Sequence, residues 1–381
     1  MQNRFDVIVI GTGPGGGMAA CKLAASGLRT LILEKETLPR HKPCGGGLPY
    51  LVKDIIDWDF SHMVENEIYG YQYLFDYSLP RTGTYSQPIL MVDRSRFDQH
   101  FIERALSIGR SNVELREGVE VSHVQEEADG VRVWIGETEW VEAAYVIAAD
   151  GVFSKTARSL GLKRKVPLAI AIDAEVEVDD EVYEQEKNRA TFNFSCLNNG
   201  YGWVFPKSGY LSCGVGSWRG RGKLPQAMDS YLAQTLPAGS IRSVRRFGHP
   251  LPLYAGHRPV STSRVCLVGD AASLVDPIMG EGIRFALKSG ALAATVIGQL
   301  LGVTMPRDIQ EEVGYVPTDC QVYTELVKNE IGSEFEGLYR FIAPLFFSKP
   351  EFFYRKFFLE GQNYFQLAQQ LTNQLAKAKQ I

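Results

Sequence analysis

Apolar and polar positions along this chain alternate between two rhythms. The run Val7 to Ile10 ends at a glycine turn, a helical period holds from Gly16 to Ser26, and a second apolar run spans Thr30 to Glu34. That succession predicts strand, helix, strand. From Ile68 to Tyr77 an aromatic falls on every second residue (Tyr69, Tyr71, Tyr73, Phe75, Tyr77), which predicts a strand with one aromatic face. Residues 95 to 109 read as a helix, and 113 to 149 as short strands with turns, Asp129-Gly130 among them. A helix follows Asp150-Gly151 to about Leu160. Clean alternation at 172 to 178 opens an antiparallel sheet running to about 253. The chain then returns to a buried strand, Val265 to Val268, and a long helix from 281 to about 301. From about 305 it is helical and rich in aromatics.

This order predicts an α/β fold in which a Rossmann-type nucleotide domain (1–65, 95–165 and 255–304) is interrupted by an antiparallel substrate sheet (66–94 and 166–254). A helical C-terminal segment occupies 305–381. With 381 residues, 45% of them hydrophobic, a full core can be buried. The net charge of −4 speaks against a nucleic-acid surface, which needs a basic face. No apolar run is long enough to predict a membrane span. Arg4 is followed by only a short strand-like run, so no signal peptide is expected. The six cysteines (21, 44, 196, 213, 266 and 320) lack paired or metal-ligand spacing, and the histidines are scattered. A reduced compartment and no metal site are expected, hence a cytoplasmic protein, free or peripheral on a membrane.

The first turn is Gly11-Thr12-Gly13-Pro14-Gly15-Gly16. Gly11 suits the tight turn, Gly13 lets backbone approach a pyrophosphate, and Gly16 lets the helix pack on the strand. The helix N-terminus, with Pro14 and Gly15 in its first turn, offers amides and positive dipole to phosphate. Glu34, with Lys35 after it, ends the second strand, where a carboxylate takes ribose hydroxyls. NAD would fit this segment alone as well as FAD. Later segments decide for FAD. Asp150-Gly151 and Gly269-Asp270 each close an apolar strand at its ligand-binding end, with Asp270 placed for the ribityl hydroxyls. Gly280, Gly282 and Ile283 open a helix whose dipole favours the reduced, anionic flavin ring. Arg94, at the start of another helix, is assigned to the ribityl or pyrophosphate region, with an exposed salt bridge as the alternative.

Two further motifs, Lys42-Pro43-Cys44-Gly45-Gly46-Gly47 and Tyr201-Gly202-Trp203-Val204-Phe205-Pro206, narrow the reading. With the flavin segments they resemble the geranylgeranyl reductase family of the p-hydroxybenzoate-hydroxylase-type flavoproteins, over roughly residues 1 to 300. The resemblance implies an FAD-dependent reductase that saturates isoprenoid double bonds of a lipid, quinone or pigment precursor by hydride transfer from reduced flavin. It implies that Cys44, Gly45 and Gly46 touch FAD, that the Val121 backbone holds the adenine, and that Tyr201, Trp203 and Phe205, with Gly46 and Gly47, line the prenyl cavity. Cys44, Tyr201 and Trp203 are then the candidates for catalysis. The family's arginine of the Asp-Gly segment falls on Ala157, with Arg158 next, which removes its implied nucleotide role.

Tyr201 and Trp203, two residues apart on a strand, should share a face; the 69–77 strand is expected to supply the opposite wall or to pack under helices. An isolated alkene has no electron sink for hydride alone, so a proton must reach one carbon while aromatic faces stabilise the charge. Cys44 is the first candidate donor, and a water or the flavin the alternative. Cys213 and Cys266 read as inert buried residues. Arg242, Arg245, Arg246, Lys163, Arg164 and Lys165 suit either a diphosphate head group or an ordinary solvated surface. Gly214 to Gly220 imitates a second dinucleotide loop with the wrong spacing, so electrons are expected from NAD(P)H docking on the flavin or from a carrier protein. Phenylalanines clustered at 341–347 and 352–358, with Lys349, Arg355 and Lys356, suit a membrane-surface helix or a cap over the cavity equally. Rival functions are an oxygen-using flavin monooxygenase or halogenase, since YGWVFP is also distantly similar to a halogenase stretch, and a flavin-binding protein without turnover.

Overall fold

The computed structural model describes residues 4–75, 80–163, 165–197, 199–218, 223–305 and 317–359. Tyr77, Arg164 and the end of the Gly214–Gly220 stretch lie outside them. Two sheets organise the chain. In the first, Val113–Arg116, Thr30–Leu33, Phe5–Ile10 and the end of Glu139–Ala148 run parallel, and Val265–Leu267 joins beside Val146 to Ala148. The first half of Glu139–Ala148 pairs instead with the hairpin Val121–Glu126 and Val131–Ile135, so one long strand serves two neighbours. Val7, Ile8 and Val9 are wholly buried, as a strand covered on both faces requires. The helices Pro14–Ala25 and Ile283–Leu300 lie together on this sheet, their backbones touching where Gly290 meets Gly15.

The second sheet has eight strands in the order Ile241–Pro252, Leu168–Val178, Leu211–Ser217, Gly200–Pro206, Arg189–Asn193, Val64–Leu74, Pro80–Val92 and Gly47–Pro49. It is not wholly antiparallel, because Arg189–Asn193 runs parallel to Val64–Leu74. Its two faces differ in kind. On one, Ala174, Val176, Val204, Cys213 and Val215 pack against the helix Leu224–Thr235. On the other, register places Trp203 opposite Gly214 and Gly214 opposite Asp173. That face carries aromatics, then small residues, then acids.

The tyrosine strand corrects one expectation. It does not oppose the Tyr201–Phe205 strand but continues the same sheet, so Tyr73 packs beside Phe192 and Phe194. A bulge at Ile68/Gly70 breaks its alternation, and Tyr69 stands 46% exposed. Gly214 and Gly216 are strand residues that make room for indoles: a Cβ on Gly214 would lie 1.9 Å from Trp203. The basic run at 242–246 is paired: Arg242 meets Asp179 and Asp180, Arg245 meets Glu175, and Arg246 meets Asp229, while Lys163 of the other run donates to the Val152 carbonyl at 2.5 Å. Cys213 and Cys266 are fully buried.

In the C-terminal segment Phe335, Phe346 and Tyr354 pack onto the body of the protein. Phe335 is buried between Phe285 and Tyr254, with ring centroids 4.2 and 5.0 Å away. Phe346 and Tyr354 close on Phe194, and the Tyr354 hydroxyl donates to the Tyr73 carbonyl at 2.9 Å. Ion pairs dock the segment on the long helix, Arg284 to Glu334 at 2.8 Å and Lys288 to Glu330 at 3.3 Å. Phe352 is 47% exposed, while the side chains of Phe347, Phe353, Phe357 and Phe358 lie outside the described residues. No helix among the described residues is long and apolar enough to cross a membrane. Replacing Phe335 by Ala should cost about 3–5 kcal/mol, because a ring enclosed on all sides leaves a cavity; chemical denaturation checks this, and a loss below about 1 kcal/mol would show that the segment does not dock.

Candidate active site

The two glycine signatures are in contact. A Cβ on Gly15 would lie 3.0 Å from Val268 and 3.1 Å from the Ala286 carbonyl, and one on Gly16 would strike the Gly11 carbonyl at 2.0 Å. Gly11 has φ of +95°, the turn only glycine makes cheaply. Gly13 is different: extended, and with only the Arg40 guanidinium within 4 Å of its Cβ position. No side chain caps the helix at Gly13, which has no acid in its first turn, whereas at the helix after Gly282 the Glu281 carboxylate accepts from the Arg284 amide at 2.7 Å. Open backbone and uncapped amides at Gly13 fit a pyrophosphate.

Acids and cations frame this cradle. Glu34 accepts from the Thr12 amide at 2.9 Å and from the Thr12 hydroxyl, and the Arg40 guanidinium lies 3.5 Å away. Burial opposes its charge, yet these partners hold its carboxyl below the usual range. Lys35 points outward, beside Glu36. Val121 starts a strand close to Val119, whose amide donates to the Glu34 carbonyl, so the adenine edge expected there adjoins Glu34. Arg94 is not exposed: buried, it donates to both oxygens of Asp98 at 2.9 and 2.8 Å, and Arg40 meets the same carboxylate at 3.2 Å. Burial works against the Arg94 charge, and Asp98 more than restores it.

At the strand ends, Asp150 accepts from the Thr156 amide through one oxygen, while its other, Oδ1, is buried without a partner. Gly151 turns at φ +75° beside it. Asp270 lies 3.8 Å from the Cβ position of Gly282 and 3.9 Å from His249, whose ring accepts from the Lys42 ammonium at 2.6 Å. Burial brings Lys42 down to about 8, against the pull of Asp270. Gly280 turns at φ +68°, and Ile283 is buried behind Gly282. Asp276 shapes this loop by accepting from the Ile278 and Met279 amides. An orphaned carboxylate oxygen, bare amides and cation-paired acids on one rim fit the ribose, ribityl and phosphate groups of FAD.

The Cys-Gly-Gly segment lies against the aromatic strand. A Cβ on Gly45 would meet Phe205 at 3.0 Å and the Trp203 indole nitrogen at 3.1 Å, and Gly47 also faces Phe205. Gly46, at φ +64°, is pressed against the buried Lys207 ammonium and the Val92 carbonyl. Tyr201, Trp203 and Phe205 do share a face, with Phe192 5.2 Å from Phe205 and Phe194 5.6 Å from Tyr201. The Tyr201 hydroxyl donates to the Met279 carbonyl at 2.6 Å, tying this wall to the flavin-side loop, and burial keeps the phenol neutral. Cys44 accepts from the Gly46 amide at 3.3 Å and lines a small polar cavity with Arg94, Lys207, Asp173 and Ser212. Ala157 is fully buried, so no side chain reaches out where the family's arginine would, and Arg158 is exposed.

Arg40, Asp98, His249, Lys207 and Asp173 were not singled out by sequence. Asp98 alone carried a signal, four residues after Arg94 on one helix face.

A family model described as an FAD binding domain matches residues 82–304, and a second of the same description matches 6–49. The digeranylgeranylglycerophospholipid reductase of Methanocaldococcus jannaschii is 30% identical over 79% of this chain and 78% of its own length. The chloroplastic geranylgeranyl diphosphate reductase of Arabidopsis thaliana is 32% identical over 78% of this chain and 66% of its own. A geranylgeranyl bacteriochlorophyll reductase-like protein of Thermoplasma acidophilum superposes with a TM-score of 0.76 at 26% identity, over 89% of this chain and 87% of that one. A flavin-dependent brominase, 18% identical with a TM-score of 0.72, shares the fold over 99% of this chain and 100% of its own. Cradle, carboxylates and sequence relatives agree: the chain is an FAD-dependent oxidoreductase and belongs to the geranylgeranyl reductase family.

Proposed function

We propose that this protein saturates the double bonds of a geranylgeranyl-type chain carried by a lipid, quinone or pigment precursor. The observation that carries the reading is the contact between Gly45–Gly47 and the Trp203–Phe205 wall, which leaves side-chain-free backbone facing a run of rings. When bound, FAD supplies the reducing electron pair as hydride. The chain's own residues supply everything else. Phe192, Phe194, Tyr201, Trp203 and Phe205 offer an apolar surface that excludes water and accepts a linear hydrocarbon without needing hydrogen bonds from it. Their π faces stabilise positive charge appearing on a trisubstituted carbon. Phe346 and Tyr354 close the far end of this wall. Cys44, at the border of wall and polar cavity, holds the proton that the alkene must receive. Lys42, His249 and Asp270 form a second polar group beside Gly282, suited to the ribityl side of the cofactor.

Anaerobic photoreduction followed by geranylgeranyl compounds should reoxidise the flavin and add mass in steps of one hydrogen pair. Product that forms only with oxygen would transfer the protein to the monooxygenase or halogenase class. In the same assay Cys44→Ala should keep the yellow cofactor and slow reoxidation by about 10²-fold, the usual size of a lost acid; an unchanged rate removes Cys44 from the chemistry.

Gly13→Val separates cofactor binding from folding. Its side chain enters space that no protein atom claims except the tip of Arg40, so the cofactor-free melting temperature should stay within about 2 °C. FAD uptake, read by absorbance after reconstitution, should fall at least about 100-fold, since the added methyls occupy the expected pyrophosphate path. Full FAD uptake by this variant would move the cofactor elsewhere.

A further inference from the structure

We infer that Asp173 is the proton store for the site, replenishing Cys44 across the polar cavity that the two residues share. This rests on the reductase reading above. The strand Leu168–Val178 alternates, and its even residues pack under the helix Leu224–Thr235. Asp173 and Glu175 therefore lie on the opposite face, which pattern alone assigns to solvent. Instead the segment around His41 to Cys44 folds over that face, and Asp173 is buried. A buried acid needs partners. Its Oδ1 accepts from the Ser212 hydroxyl at 2.7 Å, and Ser212 accepts from the Trp203 indole N–H at 3.3 Å. One hydrogen-bonded line thus runs from the ring beside Gly45 to the carboxyl, and Oδ2 is left to carry a proton.

The charged groups around the cavity include Lys42, from the covering segment, and Asp93, at the start of the helix that carries Arg94. Glu175, on the same strand, is occupied by Arg245 at 2.6 Å and His41 at 3.1 Å. Lys207 is buried with its ammonium donating to the Val92 carbonyl at 2.8 Å. Tyr210, Ser212 and Cys213 approach from the neighbouring strand and its turn, and Cys44, Arg94 and His41 from the covering segments. Burial raises the Asp173 carboxyl above its ordinary range, against the Ser212 hydrogen bond and Lys207. Burial thus moves this carboxyl toward its protonated form.

The step balances as follows. The S–H bond of Cys44 breaks as a C–H bond forms at one alkene carbon, and hydride from the reduced flavin forms the second C–H bond. The alkene gains one proton and one hydride, and the flavin loses two electrons. The O–H bond of Asp173 then breaks to restore S–H. The carboxylate is reprotonated from solvent at the half-exposed His41 edge of the cavity. Asp173 touches no substrate. It is a positioning residue acting through Cys44.

Asp173→Asn, Asp173→Glu and Ser212→Ala in the FAD-loaded enzyme test this. The infrared spectrum of the wild type should contain a protonated-carboxyl band, lost in Asp173→Asn and kept in Asp173→Glu. Iodoacetamide labelling of Cys44, read by peptide mass mapping, should show, beyond the rise common to any thiol, an inflection set by Asp173 that Asp173→Asn abolishes. Repeated turnover on geranylgeranyl diphosphate, with dithionite re-reducing the flavin, should decline as pH rises through the Asp173 titration, because each round after the first draws on the replenished thiol. Asp173→Asn should be at least about tenfold slower and lack that limb, and Asp173→Glu should restore it. Ser212→Ala should move the limb to higher pH, because its hydroxyl favours the ionised carboxyl. Normal turnover by Asp173→Asn with the wild-type pH profile, or no carboxyl band in the wild type, overturns the proton store and leaves the reductase standing. A carboxyl band and a linked Cys44 inflection without prenyl turnover would overturn the substrate reading and the alkene step with it. If Asp173→Asn does not fold, Ser212→Ala decides: an unmoved limb is the overturning result.

Discussion

The indole of Trp203 lies across the space that a side chain at position 214 would fill, with Gly45 against its nitrogen. The site depends on this contact. One glycine lets the ring lie flat on the sheet, and the other lets a loop from the nucleotide half of the chain come down onto it. Tight packing of this kind tolerates no added methylene without displacement. The Tyr201 hydroxyl on the Met279 carbonyl then ties the same strand to the loop at the start of the long helix. Wall, cysteine loop and flavin-side loop therefore have one relative position. A redox site needs that fixity, because hydride transfer depends on reacting atoms being held close and aligned.

Electrostatics supports the same joint from the nucleotide side. Arg40 bridges Glu34, at the end of the second strand, to Asp98, which also holds Arg94. Burying four charged groups is costly unless each is paired, and removing one member leaves its partner uncompensated. The network thus holds Arg94 rigidly beside the cysteine loop. A sequence reader sees an arginine at a helix start and offers a ligand or a surface ion pair. The structure gives a buried pair that shapes the site from behind.

What the sequence disclosed follows from how local each signal is. The strand, turn, helix, strand unit is encoded within residues 5–34, so its glycines and Glu34 were legible without the fold. The shared face of Tyr201, Trp203 and Phe205 follows from a period of two. Asp173 was not legible. The same period puts it on the face opposite Ala174 and Val176, and nothing in the strand tells that a distant loop covers that face. His249 was hidden for the same reason, since its hydrogen bond to Lys42 joins distant segments. The opposite-wall reading of the tyrosine strand failed because alternation assigns a residue to a face and leaves its neighbouring strand unstated, while its alternative, packing under helices, is seen where Tyr354 meets Phe75 and Tyr73.

The C-terminal segment shows where composition stops deciding. Phenylalanines interspersed with lysine and arginine satisfy a lipid surface and a protein cap alike, because both reward burying rings and leaving charges wet. Partner identity separates the two. Phe335, Phe346 and Tyr354 have aromatic partners on the long helix, Tyr254 and the substrate sheet, and Glu330 and Glu334 have basic partners on the long helix. These rings cannot also be in a bilayer while the segment is docked. The ion pairs at Arg284 and Lys288 sit at its partly exposed edge, where screening makes them weak, whereas Phe335 is enclosed. The segment is therefore anchored at Phe335 and is easier to part along its charged margin.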